Sequence, residues 1–453
     1  MGLNELSVAR QTALLEAGEI APADLVSDAL TRIDEVQPHL NCFVEVWADQ
    51  ALDRARELGR VPIGRRGPLH GIPVAIKDTT PWSGHRLTLG SLTQSENVAT
   101  STAWVVDRLL ESGAVIVGST NSPEFAHSSF TDNRLWGPTR NPHDPRLSPG
   151  GSSGGSAVAV ATGCVALAEG TDMGGSVRIP AAWCGVVGLK PSLGRIPMDA
   201  LPGLWDSLSH HGPLARSADD AWRFLLATQG PSLRDPYAVL APLDGDLDVD
   251  PAGLRVALSV DLGCWAVDPE IERAVRSTAD RLGDLGADVV EVDPGFTADD
   301  ERLWVRMWGV FMAGYYGHLA DSSPESLDPD VLELIRLGRS MSAVDVRDLE
   351  LRRTSFWRRV AKVLDHHEVI LCPTMSTPPF SAAKADYHEP ARVPGRLTNH
   401  DMTSVWNLAS PCPAVSFPIG HHHNRVPIGG QLIGRPGAER TILSIVSALT
   451  VDR

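Results

Sequence analysis

The sequence predicts an α/β protein in which helices cover both faces of a central, mixed and largely parallel twisted sheet, within one large domain. Two observations carry this prediction. Short apolar segments without polar alternation, typical of strands buried on both faces, alternate along the chain with segments of helical periodicity. That alternation is typical of sheets covered by helices. A chain of 453 residues is long enough for one large core.

The first half of the chain supplies the clearest elements. Two helices are predicted first, and the second begins at IAPADLVSDALTRIDEV with Pro22 in its first turn. GIPVAIKD then predicts a strand, because apolar residues occupy both of its alternations. STAWVVDRLLESG predicts a helix that ends at Gly113, and AVIVGSTN predicts a second buried strand. An alanine-rich helix is expected at about residues 155–162.

The second half has weaker signals. LRVALSVDL predicts a strand, PEIERAVRSTADRLGDLG an amphipathic helix and ADVVEVD another strand. VILCPTMSTPPF and CPAVSFPIG…VPIGGQLIG predict late strands, of which the last two form a hairpin. The histidines at positions 421–423 fall at the tip of that hairpin. We interpret these histidines as part of a solvated loop in preference to a metal site.

Charge and cysteine usage exclude several function classes. The net charge of −16 repels phosphate backbones and anionic lipid headgroups, so neither nucleic acid nor a membrane is an expected partner. Six widely spaced cysteines without a CxxC pair are expected to be reduced thiols. The start of the chain has no basic region followed by an apolar run, which predicts a cytoplasmic protein. No metal is expected, since neither HExxH nor a Cys/His cluster occurs.

The most unusual stretch is residues 150–176, GGSSGGSAVAVATGCVALAEGTDMGGS. Its GxSxG pattern could place Ser153 on a nucleophile elbow, but that elbow must follow a strand directly. The preceding NPHDPRLSPG contains three prolines and cannot be a central strand. A phosphate-binding loop is also disfavoured, because both the GK[ST] ending and a GxGxxG after a strand are missing.

A third interpretation joins these serines to Lys77, which ends the predicted strand PVAIK. Burial disfavours the charged form of a lysine and lowers its pKa, so a buried Lys77 could act as a base. A single lysine at the end of a strand is, taken alone, more often an exposed edge residue. The complete set of motifs favours the interpretation of Lys77 as a buried base.

That set resembles the amidase signature family. GIPVAIKD, GSTNSPEF, TRNPHDPRLSPGGSSGGSAVAVATG, GTDMGGSVRIPAAWCGVVGLKPSLGRIP and NLASPCPAVSFPIG…VPIGGQLIGRPG occur in the family's order over most of the chain. The resemblance implies a Ser-cisSer-Lys triad whose two serines lie 24 residues apart, since 176 − 152 = 24. Lys77 is then the base, Ser152 the serine held by a cis peptide, and Ser176 the nucleophile.

The resemblance also suggests an oxyanion hole over the backbone of Met173, Gly174, Gly175 and Ser176. Paired glycines let successive N–H groups point at one spot, where they would stabilise a developing oxyanion. Met173 stands where many family members carry threonine. We expect activity to survive this departure, because the backbone N–H does the work.

Other residues receive smaller roles. Ser153 and Asp172 are expected to support the triad through hydrogen bonds, and Arg178 through a structural ion pair. The segment FAHSSF corresponds in the family to residues beside the substrate, so Ala126 and Ser128 are pocket candidates. Cys184 is expected to be a core residue.

By this resemblance, the chain is divided into N-terminal helices (1–60), a catalytic core (61–200), a variable helical and pocket segment (200–395) and C-terminal strands with a helix (396–453). The expected function is hydrolysis of amide or carbamate (urethane) C–N bonds through an acyl-enzyme, without a cofactor. Twelve tryptophans and an overall likeness to the urethanase members favour aryl or apolar small-molecule substrates. An aliphatic or peptide amide hydrolase and an amidotransferase subunit, active or idle, are the alternatives, and a homodimer is left open.

Overall fold

The computed structural model describes residues 2–383 and 393–450. Within these ranges, eleven strands form one sheet in the order β1-β3-β2-β4-β6-β5-β10-β11-β9-β7-β8. The strands are β1 (Phe43–Val46), β2 (Pro73–Lys77), β3 (Val115–Thr120), β4 (Leu167–Asp172), β5 (Val187–Lys190), β6 (His210–Ala215), β7 (Arg255–Leu258), β8 (Asp288–Glu291), β9 (Val369–Pro373), β10 (Ala414–His421) and β11 (Pro427–Gly434).

Thirteen α-helices in the same ranges surround the sheet. They are α1 (Val8–Ala17), α2 (Pro22–Leu40), α3 (Ala48–Leu58), α4 (Trp104–Glu111), α5 (Gly154–Ala161), α6 (Arg178–Cys184), α7 (Ala218–Thr228), α8 (Pro269–Asp284), α9 (Ala298–Ser322), α10 (Pro329–Arg339), α11 (Ala343–Leu364), α12 (Val405–Leu408) and α13 (Glu439–Thr450). The α/β class and the mixed sheet are therefore confirmed.

Parallel pairing is less frequent than the sequence led us to expect. Of ten strand pairings, four are parallel and six are antiparallel. The parallel pairs lie in two separate groups, β3-β2-β4 and β9-β7-β8. The centre of the sheet is antiparallel because β6 and the β10–β11 hairpin run against their neighbours. The signal of double-sided burial was correct, but it does not distinguish strand direction.

Both faces of the sheet are covered. On β2, Val74 and Ile76 belong to a core shared with α4, α7, α8 and α13, whereas Ala75 belongs to the core under α2, α3, α5 and α6. All five residues of β2 are buried, as predicted for PVAIK. Helices packed on both faces leave the carboxyl end of β2 inside the protein, so its last residue, Lys77, is buried as well.

Most element predictions are confirmed. α2 begins at Pro22, α5 covers residues 154–161, and β10 and β11 pair as an antiparallel hairpin. The helix before Gly113 ends at Glu111, and Gly113 follows with a φ of +85°. No helix among the described residues is long and apolar enough to cross a bilayer. The six cysteines are buried and unpaired. The four-part division of the chain stays a prediction.

The interpretation of the histidines at the hairpin tip is partly wrong. His421 and His423 are exposed, but His422 is buried and its Nδ1 lies 3.0 Å from Asn424 Oδ1. The tip packs against the start of α8, where His423 contacts Glu270 at 2.7 Å. A tertiary contact between two distant segments thus buries a ring that the local turn pattern would leave in solvent.

Candidate active site

Lys77 lies at the carboxyl end of β2 and is fully buried. Its Nζ donates hydrogen bonds to Ser152 Oγ at 2.6 Å and to Thr171 Oγ1 at 2.9 Å. The Gly151–Ser152 peptide bond is cis, the geometry that the resemblance implies for Ser152. Two residues 75 positions apart in the chain are therefore in direct contact, as the motif set suggested.

The protein interior lowers the pKa of the Lys77 ammonium to about 7. The main cause is burial, because a charged ammonium loses its hydration there. Glu169 and Asp172 act in the opposite direction, since their negative charges favour the charged form. Lys77 is therefore a lysine that can be neutral, and act as a base, near neutral pH.

A buried pair behind Lys77 was missed by the sequence reasoning. Glu169 Oε2 accepts hydrogen bonds from the backbone N–H of Lys77 and from Thr80 Oγ1, both at 3.0 Å. Glu169 Oε1 lies 2.8 Å from His211 Nδ1, and both side chains are fully buried. The signal that could have found Glu169 is the apolar run VALA directly before it, which indicates a buried strand. On that strand Glu169 and Thr171 share a face, as residues i and i+2 do.

The predicted oxyanion segment, Met173 to Ser176, follows β4 directly. Its carbonyl groups are held by side chains from distant segments. Trp304 Nε1 on α9 donates to Met173 O at 3.0 Å, and Thr403 Oγ1 donates to Gly174 O at 2.7 Å. The N–H of Gly175, by contrast, donates to Asp172 Oδ1 at 2.9 Å. That N–H is already engaged, so it is a poor candidate for an oxyanion donor.

These contacts explain why the segment needs both glycines. A Cβ on Gly174 would lie 2.2 Å from Cζ2 of Trp304, and a Cβ on Gly175 would lie 1.9 Å from Oγ1 of Thr403. Gly175 also has a φ of +114°, a conformation that side chains rarely permit. The residues that hold the carbonyls therefore leave no room for side chains at positions 174 and 175.

Asp172 and Arg178 form a fully buried ion pair around this segment. Arg178 Nε and Nη2 donate to the two carboxylate oxygens of Asp172 at 3.0 and 2.9 Å. Burial alone would raise the pKa of Asp172, but the guanidinium and the amide of Asn407 hold it well below its usual range. Arg178 Nη1 also donates to Thr403 O and Gln431 Oε1. The pair thus joins the end of β4 to α6, α12 and β11, links that the ion-pair prediction for Arg178 did not include.

The remaining candidate nucleophiles differ in access. Ser153 is fully buried, and its Oγ lies 3.3 Å from both the N and the O of Thr171, which fits a supporting position. Cys184 is buried, and burial raises the pKa of its thiol. Ser176 is half-buried and lines the pocket together with Ser152. Of these three residues, Ser176 has the access that a substrate requires.

The pocket above these residues has a volume of about 780 Å³. One wall is aromatic: Trp304 stacks on Trp308 with ring centroids 4.9 Å apart, and Phe125 stacks on Tyr316 at 4.0 Å. The residues that line it near these rings include Leu89, Phe311, Leu334 and Leu337. α9 and α10 supply much of this wall and pack closely where Gly309 faces Gly338. A cavity of this size and character suits a small apolar or aromatic ligand.

The structure places both predicted pocket residues, Ala126 and Ser128, in this lining. The tryptophans divide in a way that the sequence could not show. Of the twelve tryptophans, all of which lie within the described ranges, only Trp304 and Trp308 line the pocket. Trp183 and Trp406 are core residues, and Trp205 is 77% exposed. The tryptophan content is thus only partly a property of the pocket.

In each of two groups of side chains, three possible metal ligands lie within 4.8 Å of one another. One group is Glu270, His422 and His423, and the other is His127, Asp328 and Asp330. Neither group includes Lys77, Ser152 or Ser176. The expectation that the reaction needs no metal depends on the serine relay itself and stays a prediction.

Comparison with known proteins assigns the chain to a family. The model of the amidase family matches residues 24–443. The chain belongs to the amidase signature family. An acylamidase of Rhodococcus erythropolis is 33% identical over 449 residues, with 97% of this chain and 94% of the relative covered. A glutamyl-tRNA(Gln) amidotransferase subunit of Synechococcus sp. (strain CC9605) is 35% identical over 480 residues, covering 98% and 96%.

Solved structures of other enzymes superpose closely on the chain. A bacterial aryl acylamidase of the amidase signature family has a TM-score of 0.90 at 27% identity, with 98% of this chain and 95% of the other covered. The 6-aminohexanoate cyclic dimer hydrolase in complex with its substrate has a TM-score of 0.86 at 26% identity, covering 98% and 96%. The fold is therefore shared along almost the whole length of these enzymes.

The environment of Lys77 leads to a prediction about Glu169. Replacing Glu169 with glutamine removes a negative charge beside Lys77, so the pKa of Lys77 should fall below its value of about 7. The side-chain resonances of lysines labelled with ¹³C at Cε report this titration directly. Only four lysines occur in the sequence, at positions 77, 190, 362 and 384, which simplifies the assignment.

Lys190 is an internal control in the same spectra. Burial also lowers its pKa to about 7, but Glu169 is not among the charges that act on it. Its titration should be unchanged by Glu169→Gln. An unchanged pKa of Lys77 in the variant would contradict the electrostatic account given above.

A second prediction concerns the buried ion pair. Arg178→Met leaves the carboxylate of Asp172 buried without its partner, which should lower the free energy of unfolding by about 3–5 kcal/mol. Arg347→Met is the matched control, because Arg347 is an exposed helical residue paired with Glu350 and should matter little. Urea denaturation of both variants measures the difference. Equal losses in the two variants would show that Asp172 is compensated by other groups.

Proposed function

We propose that this amidase signature protein hydrolyses aryl amides and O-alkyl N-aryl carbamates, with Ser176 as nucleophile, Ser152 as proton relay and Lys77 as base. The observation that carries the proposal is the 2.6 Å contact between Lys77 Nζ and Ser152 Oγ at the floor of an aromatic pocket that Ser176 also lines. A serine hydroxyl is a weak nucleophile until a neighbouring group takes its proton.

The reaction begins with neutral Lys77. As Ser176 Oγ attacks the substrate carbonyl carbon, its proton passes to Ser152 Oγ, and the proton of Ser152 passes to Lys77 Nζ. Thr171 Oγ1, 2.9 Å from Nζ, orients the amine toward Ser152. The depressed pKa of Lys77 lets the ammonium that forms give its proton back.

The negative oxygen of the tetrahedral intermediate is stabilised by backbone N–H groups. Because Gly175 donates to Asp172, we assign this role to the N–H groups of Met173, Gly174 and Ser176. The hydrogen bond from Trp304 to Met173 O fixes the peptide plane that also carries the N–H of Gly174. The hydrogen bond from Thr403 to Gly174 O fixes the next plane, whose N–H is the one that donates to Asp172.

Collapse of the intermediate breaks the C–N bond. The relay returns a proton to the leaving nitrogen, and an acyl group remains on Ser176. Water then attacks the acyl-enzyme, losing its proton to the same relay, and releases the acid and free Ser176. When the substrate is an O-alkyl N-aryl carbamate, the arylamine leaves in this step. The acid later released from Ser176 is a carbonic half-ester, which decomposes to carbon dioxide and the alcohol.

The aryl preference is supported by the pocket and by the relatives. Stacked rings of Trp304 and Trp308 offer flat apolar surface to an aromatic group. An aniline is also a good leaving group for a relay whose acid is only a lysine-fed serine. The similar proteins include an acylamidase and an aryl acylamidase. The carbamate part of the proposal comes from the chain's overall likeness to urethanases.

An amidotransferase component is the second candidate, because the Synechococcus amidotransferase protein is as similar in sequence as the acylamidase. The net charge of −16 makes a transfer RNA partner unfavourable. The two functions differ in a simple assay. A hydrolase releases 4-nitroaniline from an acyl 4-nitroanilide as the isolated chain, whereas a component that acts only in an assembly does not.

Labelling with a fluorophosphonate tests the nucleophile. The reagent should modify the peptide that contains Ser176, detected by mass spectrometry, because the activated hydroxyl must be accessible from the pocket. Ser153→Ala should still be labelled, since Ser153 is buried, whereas Ser176→Ala should not. Modification at Ser153 instead of Ser176 refutes the assignment.

The base is tested by comparing two buried lysines. Lys77→Met should lower kcat by at least about a thousandfold, the range seen when a general base is lost. Lys190→Met is the matched control, because Lys190 is equally buried but donates to the backbone carbonyl groups of Cys412 and Pro191. It should keep activity close to that of the unmodified enzyme. Similar losses in both variants would assign the effect to folding.

The same assay gives the pH dependence. Only neutral Lys77 is the base, so kcat/KM should rise with pH through about 7 and level off on the alkaline side. Activity that peaks at about pH 5, where carboxylates and not lysines titrate, contradicts the mechanism.

A further inference from the structure

The charges in the pocket wall all have one sign. Among the described residues that line the pocket there is no lysine or arginine, whereas Glu301, Asp330, Glu333 and Asp401 are acidic. Asp172 also borders the pocket but is neutralised by Arg178. Glu301 and Asp401 are half-buried, while Asp330 and Glu333 are exposed. The inner part of the wall is thus governed by Glu301 and Asp401.

Both of these carboxyl groups lie beside the segment proposed to bind the oxyanion. Glu301 lies one helical turn before Trp304, which holds Met173 O at 3.0 Å. Asp401 lies two residues before Thr403, which holds Gly174 O at 2.7 Å. A substrate whose carbonyl reaches Ser176 therefore brings its substituents within range of two acidic groups.

The other titratable groups nearby do not cancel this charge. Burial and the neighbouring Asp401 raise the pKa of Glu301 to about 7, and the exposed Arg302 opposes them only in part. Of the two histidines in the lining, His127 lies 3.7 Å from Asp328, and burial lowers the pKa of His400. With a pKa of about 7, Glu301 is almost fully ionised only above about pH 8, and there the described lining offers an anion no compensating lysine or arginine.

We infer that the pocket selects its substrates by charge, with Glu301 and Asp401 as specificity-determining residues. It accepts neutral or cationic amides and carbamates and rejects those that carry a free carboxylate. Bringing a like charge into a cavity with apolar walls is costly, because water screens the repulsion poorly there. A cationic substituent, by contrast, would find Glu301 and Asp401 as partners. This inference depends on the proposed function of the same site.

Three acetanilides that differ only in the charge of one para substituent test the inference. They carry an ethyl, an aminomethyl (cationic) or a carboxymethyl (anionic) group, each joined through a CH₂ so that the leaving group changes little. At about pH 8.5, where Glu301 is ionised, we expect kcat/KM for the ethyl and aminomethyl compounds to agree within about tenfold. We expect kcat/KM for the carboxymethyl compound to be at least about a hundredfold lower. Hydrolysis of all three at rates within threefold of one another, about 0.7 kcal/mol, overturns the inference.

Variants separate the local charges from the overall field. At the same pH, Glu301→Gln should raise by about tenfold the ratio of kcat/KM for the carboxymethyl compound to kcat/KM for the ethyl compound. Asp401→Asn should act in the same direction. Glu16 is an exposed residue of α1 outside the pocket lining. Glu16→Gln removes the same charge and should leave this ratio of kcat/KM values unchanged. Unaltered discrimination in both pocket variants also overturns the inference.

Salt and binding measurements complete the design. The discrimination should persist at about 0.5 M salt, because screening removes long-range repulsion but acts weakly on half-buried groups. Discrimination that disappears in salt assigns it to the net charge of the protein instead. Binding of the three compounds to the Ser176→Ala variant, measured by calorimetry, should follow the same order. If the unmodified enzyme leaves the ethyl compound intact while this order holds, the proposed reaction fails and the charge rule stands.

Discussion

The buried ion pair between Asp172 and Arg178 is the interaction on which the site depends. The two residues bracket the glycine turn, and the carboxylate also accepts the N–H of Gly175 and of Val177. One charged pair thus defines where the turn begins and where α6 begins. Its remaining hydrogen bonds reach Asn407 and Gln431, so the turn is tied to the late segments of the chain. The proposed oxyanion site, in which several N–H groups point at one position, requires such a rigid frame.

The carboxylate of this ion pair also affects the pKa of Lys77. Burial within the sheet disfavours the ammonium, while the negative charges of Glu169 and Asp172 favour it. Neither influence alone would put the pKa near 7. The same burial without carboxylates would give an amine that accepts a proton less readily, and more negative charge would keep the lysine cationic. The position of the lysine among these carboxylates is therefore as important as its burial.

The wall of the pocket has a different origin from its floor, where the proposed triad lies. The floor comes from β2, β4 and the glycine turn, whereas much of the wall comes from α9 and α10, which lie more than a hundred residues later in the chain. A hydrogen bond from Trp304 to Met173, across 131 residues, joins the two parts. The aromatic and acidic character of the wall can thus vary without altering the floor, which is a physical reason why one fold can serve many amides.

The sequence by itself determined the local parts of this protein. Short-range patterns in the sequence specify the strand that ends at Lys77, the glycine turn and the 24-residue spacing of Ser152 and Ser176. Only the tertiary structure decided the partners of these parts. Glu169, His211 and Thr403 belong to no motif recognised in the sequence. The direction of the strands in the centre of the sheet could not be predicted from the hydrophobic pattern. The same holds for which tryptophans face the pocket, because burial and contact are properties of distant segments brought together, and no local pattern encodes them.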